Sequence, residues 1–221
     1  MYFFWYTPEV SGSGIRKEPK LDCRFYRTAF GAEPVRAWLK SLDPEVRREI
    51  GSDIQHVQWT WPVGMPLVDG FGRGLFEVRT NVNGNIYRVL FCLDGSTMVL
   101  LHAFAKKSQK TPKPDLDLAR RRQKRRGGRQ MKKHVGSTLS SLFEELHEKE
   151  ELDLLTQKKL IAAKIERVMV RRKMTKSELA AAMHTSRTVV HRLLDPRDVG
   201  VTLATLWKAS KALGVKLVQV A

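Results

Sequence analysis

The chain has 221 residues, 42% hydrophobic and 29% charged, the composition of a globular protein with room for one large domain or, as favoured here, two small ones. Its formal charge of +17 is shared, +10 over residues 1–130 and +7 over residues 131–221, and a basic excess in both halves points to polyanions, most simply nucleic acid. Cys23 and Cys92 stand far apart in apolar strand-like surroundings, which speaks against a disulfide or metal pair, and the apolar opening Met1-Tyr2-Phe3-Phe4-Trp5-Tyr6 is too short for a bilayer span or a signal peptide, so a cytosolic protein without a membrane partner is expected.

Residues 1–20, with Ser11-Gly12-Ser13-Gly14, read as a flexible leader. Residues 21–28 alternate as a first strand, and Glu33-Pro34 opens a short helix through Leu42 with Val35, Trp38 and Leu39 on its apolar side. An Asp43 cap and Pro44 at the first helical position begin a second helix with the stripe Val46, Ile50, Ile54 and Val57, ended by Trp61-Pro62. These features read as scaffold, and His56 within the second helix is given no role. A Gly/Pro-rich loop over 64–74 leads to strand candidates at 75–80, 86–93 and 98–105. The turn dipeptides Asn83-Gly84 and Asp94-Gly95 join them into an antiparallel meander.

Arg79 and Arg88 interrupt apolar strands, and across a short hairpin they fall on one sheet face near the point where the third strand emits Lys106 and Lys107. Such convergence of cations is costly unless an anion joins them; Glu77 or a neighbouring backbone is the structural alternative. The stretch 100–112 begins as an apolar strand and ends as a cationic rim of Lys106, Lys107 and Lys110 with Gln109 and two hydroxyls. That set suits gripping a phosphodiester, with a solvated strand end as the plain alternative. Residues 116–126 form a basic helix carrying Arg120-Arg121-Arg122-Gln123-Lys124-Arg125-Arg126, either a solvated face or an RNA-binding one.

Taken in order, Gly31-Ala32-Glu33-Pro34-Val35, Gly64-Met65-Pro66-Leu67, Gly74-Leu75-Phe76-Glu77-Val78-Arg79, Tyr87-Arg88-Val89-Leu90-Phe91 and Leu100-Leu101-His102-Ala103-Phe104-Ala105-Lys106-Lys107-Ser108-Gln109-Lys110-Thr111-Pro112 resemble the phage-derived branch of the RelE/HigB toxin family. The resemblance covers nearly all of residues 21–126. It implies an α+β domain, a small twisted antiparallel sheet with helices on one side, that cleaves messenger RNA on the ribosome. Such cleavage uses the RNA's own 2′-hydroxyl and needs a stabilised phosphorane and a protonated leaving oxygen. By the resemblance Arg79 and Arg88 clamp the phosphate, Lys106 is a further clamp or the proton donor, and Lys107, Gln109 and Lys110 hold RNA. His102 has two readings, an acid/base group or a strand histidine hydrogen-bonded within the core. No pair of His residues at metal-ligand spacing, Gly-rich phosphate loop or G-x-S-x-G occurs, so neither a metal nor another cofactor is expected.

Residues 127–136 read as a linker, and Met131-Lys132-Lys133 resembles the start of a separate protein, which leaves a natural fusion and two joined genes both open. Leu139, Leu142, Phe143 and Leu146 form one helical stripe beside an acidic block of Glu144, Glu145, Glu148, Glu150, Glu151 and Asp153. The stripe either packs on its own domain or belongs to a docking arm for the basic first half, and the cationic rim near Lys106 and Lys107 is the expected target of that arm. Thr156 is expected to cap the next helix, with Leu160, Ile161, Ile165, Val168 and Met169 on its apolar face. Thr175-Lys176-Ser177-Glu178 is a capping box, and Ser186 caps a second helix ending at Leu194-Asp195-Pro196. Ala180, Val190 and Leu193 have the spacing of a helix-turn-helix, which turns Arg187, Thr188 and His191 outward; these, with Lys176, Ser186 and Arg192, are the DNA-binding candidates. Residues 203–213 continue as a helix stopped by Gly214, and 215–220 read as a closing strand.

Thr185-Ser186-Arg187, Arg192-Leu193-Leu194-Asp195-Pro196 and Val201-Thr202-Leu203-Ala204-Thr205-Leu206 resemble the XRE-type (HigA-like) antitoxins encoded beside such toxins, over about residues 137–221. His184 departs from that pattern at a turn that usually carries Gly. The expected whole is an α+β toxin domain at 21–126 and an all-α helix-turn-helix antitoxin domain at 137–221. Its expected partners are messenger RNA on the ribosome, operator DNA, each half for the other, and a second copy through the C-terminal domain. A gyrase-poisoning toxin of the related ParE type, and a repressor with an inert toxin-like half, are the rival readings.

Overall fold

The computed structural model describes residues 18–106, 111–126 and 134–217. They form two compact units, Glu18–Leu160 and a second that begins at Ile161.

The first unit is built on a six-stranded sheet in the order β2-β3-β4-β5-β1-β6. β3 (Leu75–Val82), β4 (Asn85–Asp94) and β5 (Thr97–Lys106) form the expected meander. Asn83 and Gly84 close its first hairpin, both with positive φ (50° and 78°), the conformation that makes Asn-Gly a hairpin dipeptide. The sheet is mixed rather than antiparallel, because β1 (Asp22–Tyr26) runs parallel to β5, pairing Cys23 with Met98 and Phe25 with Leu100. Parallel neighbours need a long crossover, and α1 (Pro34–Lys40) with α2 (Pro44–Thr60) supplies the first part of it. Two strands lie outside the sequence-based expectation. β2 (Val68–Gly70) pairs with β3 inside the supposed loop, and β6 (Val135–Thr138) adds to the free edge of β1.

Helices cover both faces of this sheet, not one. α1 and α2 pack Val35, Leu39, Ile50, Ile54 and Val57 against Phe25, Val78, Val89, Phe91 and Leu100. On the other face, α3 (Lys113–Arg126) packs Ala119 and Leu116 over Tyr26, Leu75, Leu90, Cys92, Val99 and Leu101. Alternate residues of each strand therefore face different helices, which is why these strands read as nearly continuous apolar runs. Asp43 occupies the N-cap of α2 without a side-chain capping bond, and Pro44 alone carries the start signal. Cys23 and Cys92 are free and buried; burial, reinforced by Asp22, pushes the Cys23 thiol up.

The chain then returns to the first face. α4 (Leu139–Glu145) and the first turns of α5 (Lys149–Arg171) bury Leu139, Leu142, Phe143 and Leu152 in the same core as α1 and α2. Thr156 starts no helix: it lies inside α5, buried, donating to the Leu152 carbonyl at 2.8 Å and to Gln55 Oε1 at 2.6 Å. The division between the units falls within α5.

The second unit packs Ile165, Val168 and Met169 of α5 with α6 (Lys176–Ala182), α7 (Arg187–Leu194) and α8 (Leu203–Leu213). Gly214 ends α8 in the left-handed conformation, and among the described residues 215–217 continue without strand pairing. No helix among the described residues is long and apolar enough to cross a membrane.

Candidate functional site

Arg79 of β3 and Arg88 of β4 are direct cross-strand partners. Their side of the sheet is the α3 side, because Leu75, four positions from Arg79, and Leu90, two from Arg88, belong to the cluster under α3. On β5 the register shifts by one residue: Phe91 pairs with Leu100, but Leu90 pairs with His102. Leu101 is the extra residue of this β-bulge. Without it His102 would lie opposite Val89 and face α2; with it His102, Phe104 and Lys106 turn to the side of Arg88. The bulge thus gathers the candidate residues of three strands on one face.

The centre of that face is a carboxylate. Glu77 is completely buried, and its Oε1 lies 3.0 Å from Arg79 Nε and 3.1 Å from Arg88 Nε. Thr111, on the far side of residues 107–110, donates to Glu77 Oε2 at 2.5 Å and accepts from Lys106 Nζ at 3.4 Å. Arg79 also pairs through Nη2 with Asp69 of β2, and its Nη1 approaches Met65 Sδ. The Arg88 side chain is only 3% exposed. Its Nη1 donates to the Tyr87 carbonyl at 3.0 Å, while its Nε, close to Glu77 but out of line, has no hydrogen-bond acceptor among the described residues. Burial pushes the Arg88 guanidinium down, opposed by Glu77 and reinforced by Arg79. Burial likewise lowers the Lys106 ammonium; Glu77 opposes that shift, and Arg88 and Arg79 add to it. The two structural options foreseen for the arginines therefore coexist: the cations converge, and Glu77 neutralises them in part.

His102 donates to or accepts from Asp115 of α3 through Nε2 at 2.7 Å and stacks on Phe104. Lys107, Gln109 and Lys110 lie outside the described residues. In α3, Arg120 and Gln123 bind the carbonyls of Phe71, Gly72 and Arg73, and Arg122 binds that of Leu101. Arg121, Lys124 and Arg125 remain on the exposed side of the helix. Asp69, Thr111 and Asp115 went unassigned in the sequence. The alternation Glu77, Arg79 on one strand is the signal that marks the buried carboxylate.

In the second unit, the capping box of Thr175 and Glu178 starts α6, and Lys176 follows it, half-buried. Met183, His184 and Thr185 make the turn. His184 takes φ +48°, and its N–H and that of Thr185 close on the carbonyls of Ala181 and Ala180, a Schellman end built on a non-glycine residue. Ser186 caps α7 by accepting from the Val189 N–H. Ala180, Val190 and Leu193 are buried, and Arg187, Thr188 and His191 are exposed. Arg192 is exposed but paired with Asp198 at 2.7 Å, which holds its guanidinium up.

The acidic segment meets a different surface from the one expected. Glu145 pairs with Arg36 (2.5 Å) and Lys40 of α1, and Glu148 takes Arg47 of α2 in a two-point contact at 3.0 and 2.5 Å. Ser137 of β6 donates to both oxygens of Glu33, at 2.7 and 2.5 Å. All of these lie on α1, α2 and the β1 edge, across the sheet from Arg88 and Lys106. Apolar fit decides the place: Gly51 of α2 leaves room for Phe143, and a Cβ there would come within 2.5 Å of the ring. A cavity of about 530 Å³ along this seam, beside Cys23, Gln55, Trp59 and Asp153, brings no catalytic set together.

A small sheet with a cationic face, followed by a capped helix-turn-helix, defines a two-module protein. Residues 37–124 match the family described as Phage derived protein Gp49-like, and residues 164–220 match the Cro/C1-type HTH DNA-binding domain. The chain is therefore a Gp49-like, RelE/HigB-type toxin-like domain joined to a Cro/C1-type helix-turn-helix domain. No curated protein matches it.

Proposed function

We propose that the chain is a toxin–antitoxin module in which residues 21–126 cut messenger RNA on the ribosome and residues 137–221 restrain that activity and bind operator DNA. The observation that carries the reading is the opposition of Arg79 and Arg88 with Lys106 beside them on one sheet face. In the reaction the 2′-oxygen attacks the adjacent phosphorus and the 5′-oxygen leaves, giving a 2′,3′-cyclic phosphate and a 5′-hydroxyl. The arginines hold the non-bridging oxygens as charge accumulates, and Lys106, its pKa lowered chiefly by burial, gives its proton to the leaving oxygen. His102 spends Nε2 on Asp115, so an exchange with the 2′-hydroxyl falls to Nδ1.

In the second module α7 enters the major groove, with Ser186, Arg187, Thr188 and His191 at its leading end and Lys176 beside the backbone. Arg192 reaches DNA only by leaving Asp198. Leu203 and Trp207, one turn apart on α8 and about two-thirds exposed (65% and 66%), form the surface for a second copy, as two-fold operators require.

The test uses the full chain carrying Phe143→Asp, which expels the α4 segment from the core. On ribosomes programmed with defined messages it should cut, and the unaltered chain should cut at least tenfold less. Arg79→Ala in the same background should abolish the cuts. Arg88→Lys is the matched substitution at the second position, because the buried Glu77 would lose a counter-charge in Arg88→Ala. Loss of gyrase supercoiling without message cleavage would replace this reading by the ParE type. No effect in either assay would leave a repressor with an inert domain.

A further inference from the structure

The mechanism above uses the cations and leaves Glu77 without a task, although it is the most buried charged group of the face. Its placement is specific. One oxygen faces the Nε atoms of both arginines, and the other accepts the hydroxyl of Thr111, which in turn accepts from Lys106. A carboxylate sealed from water and held by two guanidiniums is a poor ligand for RNA and a good template for the groups around it. Arg88 Nε, 3.1 Å from that carboxylate and without a hydrogen-bond acceptor among the described residues, is a donor held in the site and left unsatisfied.

We propose that Glu77 is the positioning residue of the RNA-cleaving face: it sets Arg79 and Arg88 side by side and, through Thr111, places the Lys106 ammonium against the same phosphate. The inference rests on the reading given under Proposed function. It carries a second consequence, because the groups facing Lys106 are Glu77 and Arg79 on β3, Arg88 on β4 and Asp115 on α3. Burial, Arg88 and Arg79 favour loss of the Lys106 proton, and Glu77, more than Asp115, opposes that loss. Neutralising Glu77 lowers the Lys106 pKa further and removes the proton donor at a lower pH.

The experiment measures ribosome-dependent cleavage against pH by the full chain with Phe143→Asp, alone and combined with Glu77→Gln, Glu77→Asp or Thr111→Val. Each protein is checked for a cooperative thermal transition. Glu77→Gln should reduce kcat by about a hundredfold, the scale for misplacing a donor to developing charge, with KM within threefold. Its alkaline limb should move to lower pH. Glu77→Asp should return the limb toward its original position, because the charge is restored, while kcat stays low because the carboxylate is one methylene short. Thr111→Val should cut kcat by about tenfold, the weaker effect of one hydrogen bond in the chain. If Glu77→Gln does not fold, Thr111→Val decides alone. Cleavage within twofold of the parent at every pH by Thr111→Val, and by Glu77→Gln where it folds, overturns the inference and leaves the proposed function standing. No cleavage by the parent removes both.

Discussion

The two faces of the sheet solve the same electrostatic problem in different ways. On the α3 face, Arg79 and Arg88 are balanced by carboxylates of β3 and the adjacent β2, Glu77 and Asp69, so the cations stay on the sheet, Arg88 buried and Arg79 partly exposed. On the α1–α2 face, Arg36, Lys40 and Arg47 are balanced by Glu145 and Glu148, about a hundred residues later in the chain, and balancing them brings β6, α4 and α5 into the core. Local neutralisation makes a site; distant neutralisation makes an interface. The acidic segment goes where apolar contact accompanies charge, since exposed ion pairs contribute little by themselves and cannot place a segment.

The largest expected effect tests whether apolar contact leads on the docking face. Phe143→Ala should lower the stability of the first unit by about 3–5 kcal/mol in urea titration, the range for emptying a buried aromatic site. A loss under 1 kcal/mol would return the leading role to the ion pairs. The next contrast lies among those pairs. Arg47 and Glu148 are nearly sealed from water, so Arg47→Ala leaves the Glu148 carboxylate only the distant Arg48 at 3.8 Å and should cost about 3 kcal/mol. Glu145 and Lys40 are both exposed, and Lys40→Ala should leave the urea midpoint nearly unchanged. Equal losses would erase the distinction.

Gly51→Ala sharpens it further. In an isolated helix the change gains up to about 1 kcal/mol of propensity, but here the new methyl meets Phe143 and Leu152, and overpacking of this kind costs about 1–3 kcal/mol. Destabilisation of the full chain, relieved by Phe143→Leu, is the expected pattern. The smallest effect is a pH dependence. Burial raises the Glu33 carboxyl, but the hydrogen bonds from Ser137 and the pair with Arg27 outweigh it and leave the folded pKa below the ordinary value. A depressed carboxyl contributes stability above its unfolded pKa and loses it as pH falls through the folded one. Protection of the β6 amides from hydrogen exchange should therefore weaken below the ordinary carboxylate range, and Glu33→Gln should flatten that dependence.

Much of this was legible in the residues. Asn83-Gly84 set the first hairpin, the alternation around Arg79 and Arg88 put both on one face, and Thr175 with Glu178 announced α6. What stayed hidden was what depends on distant partners. Val135-Gly136-Ser137-Thr138 is too short and too small in side chains to show a strand period, and it becomes one only against β1 and Glu33. The bulge at Leu101 adds one residue to an apolar run, where no alternation marks it, yet it fixes the side on which His102 and Lys106 emerge. Thr156 resembled a helix start because a Thr before a periodic apolar run usually is one; its hydroxyl instead bonds Leu152 and Gln55 within a longer helix. Charge pattern told that an acidic segment meets a basic one. The choice of basic surface was made by a glycine, Gly51, and the ring it admits.

The acidic segment, proposed as the restraint, lies across the sheet from Arg79, Arg88 and Lys106, the cations proposed to grip RNA. The most direct test of this arrangement is the affinity of the full chain for a short single-stranded RNA on which it does not turn over, measured with and without Phe143→Asp at one fixed salt concentration. The account predicts the same Kd within about twofold for the two proteins, weakened in both by Arg79→Ala, because a segment docked on α1 and α2 leaves the face of Arg79 and Lys106 uncovered and restrains cutting without competing for the RNA. Binding that tightens tenfold or more when the segment is expelled would contradict it and put the acidic residues on the RNA-binding face.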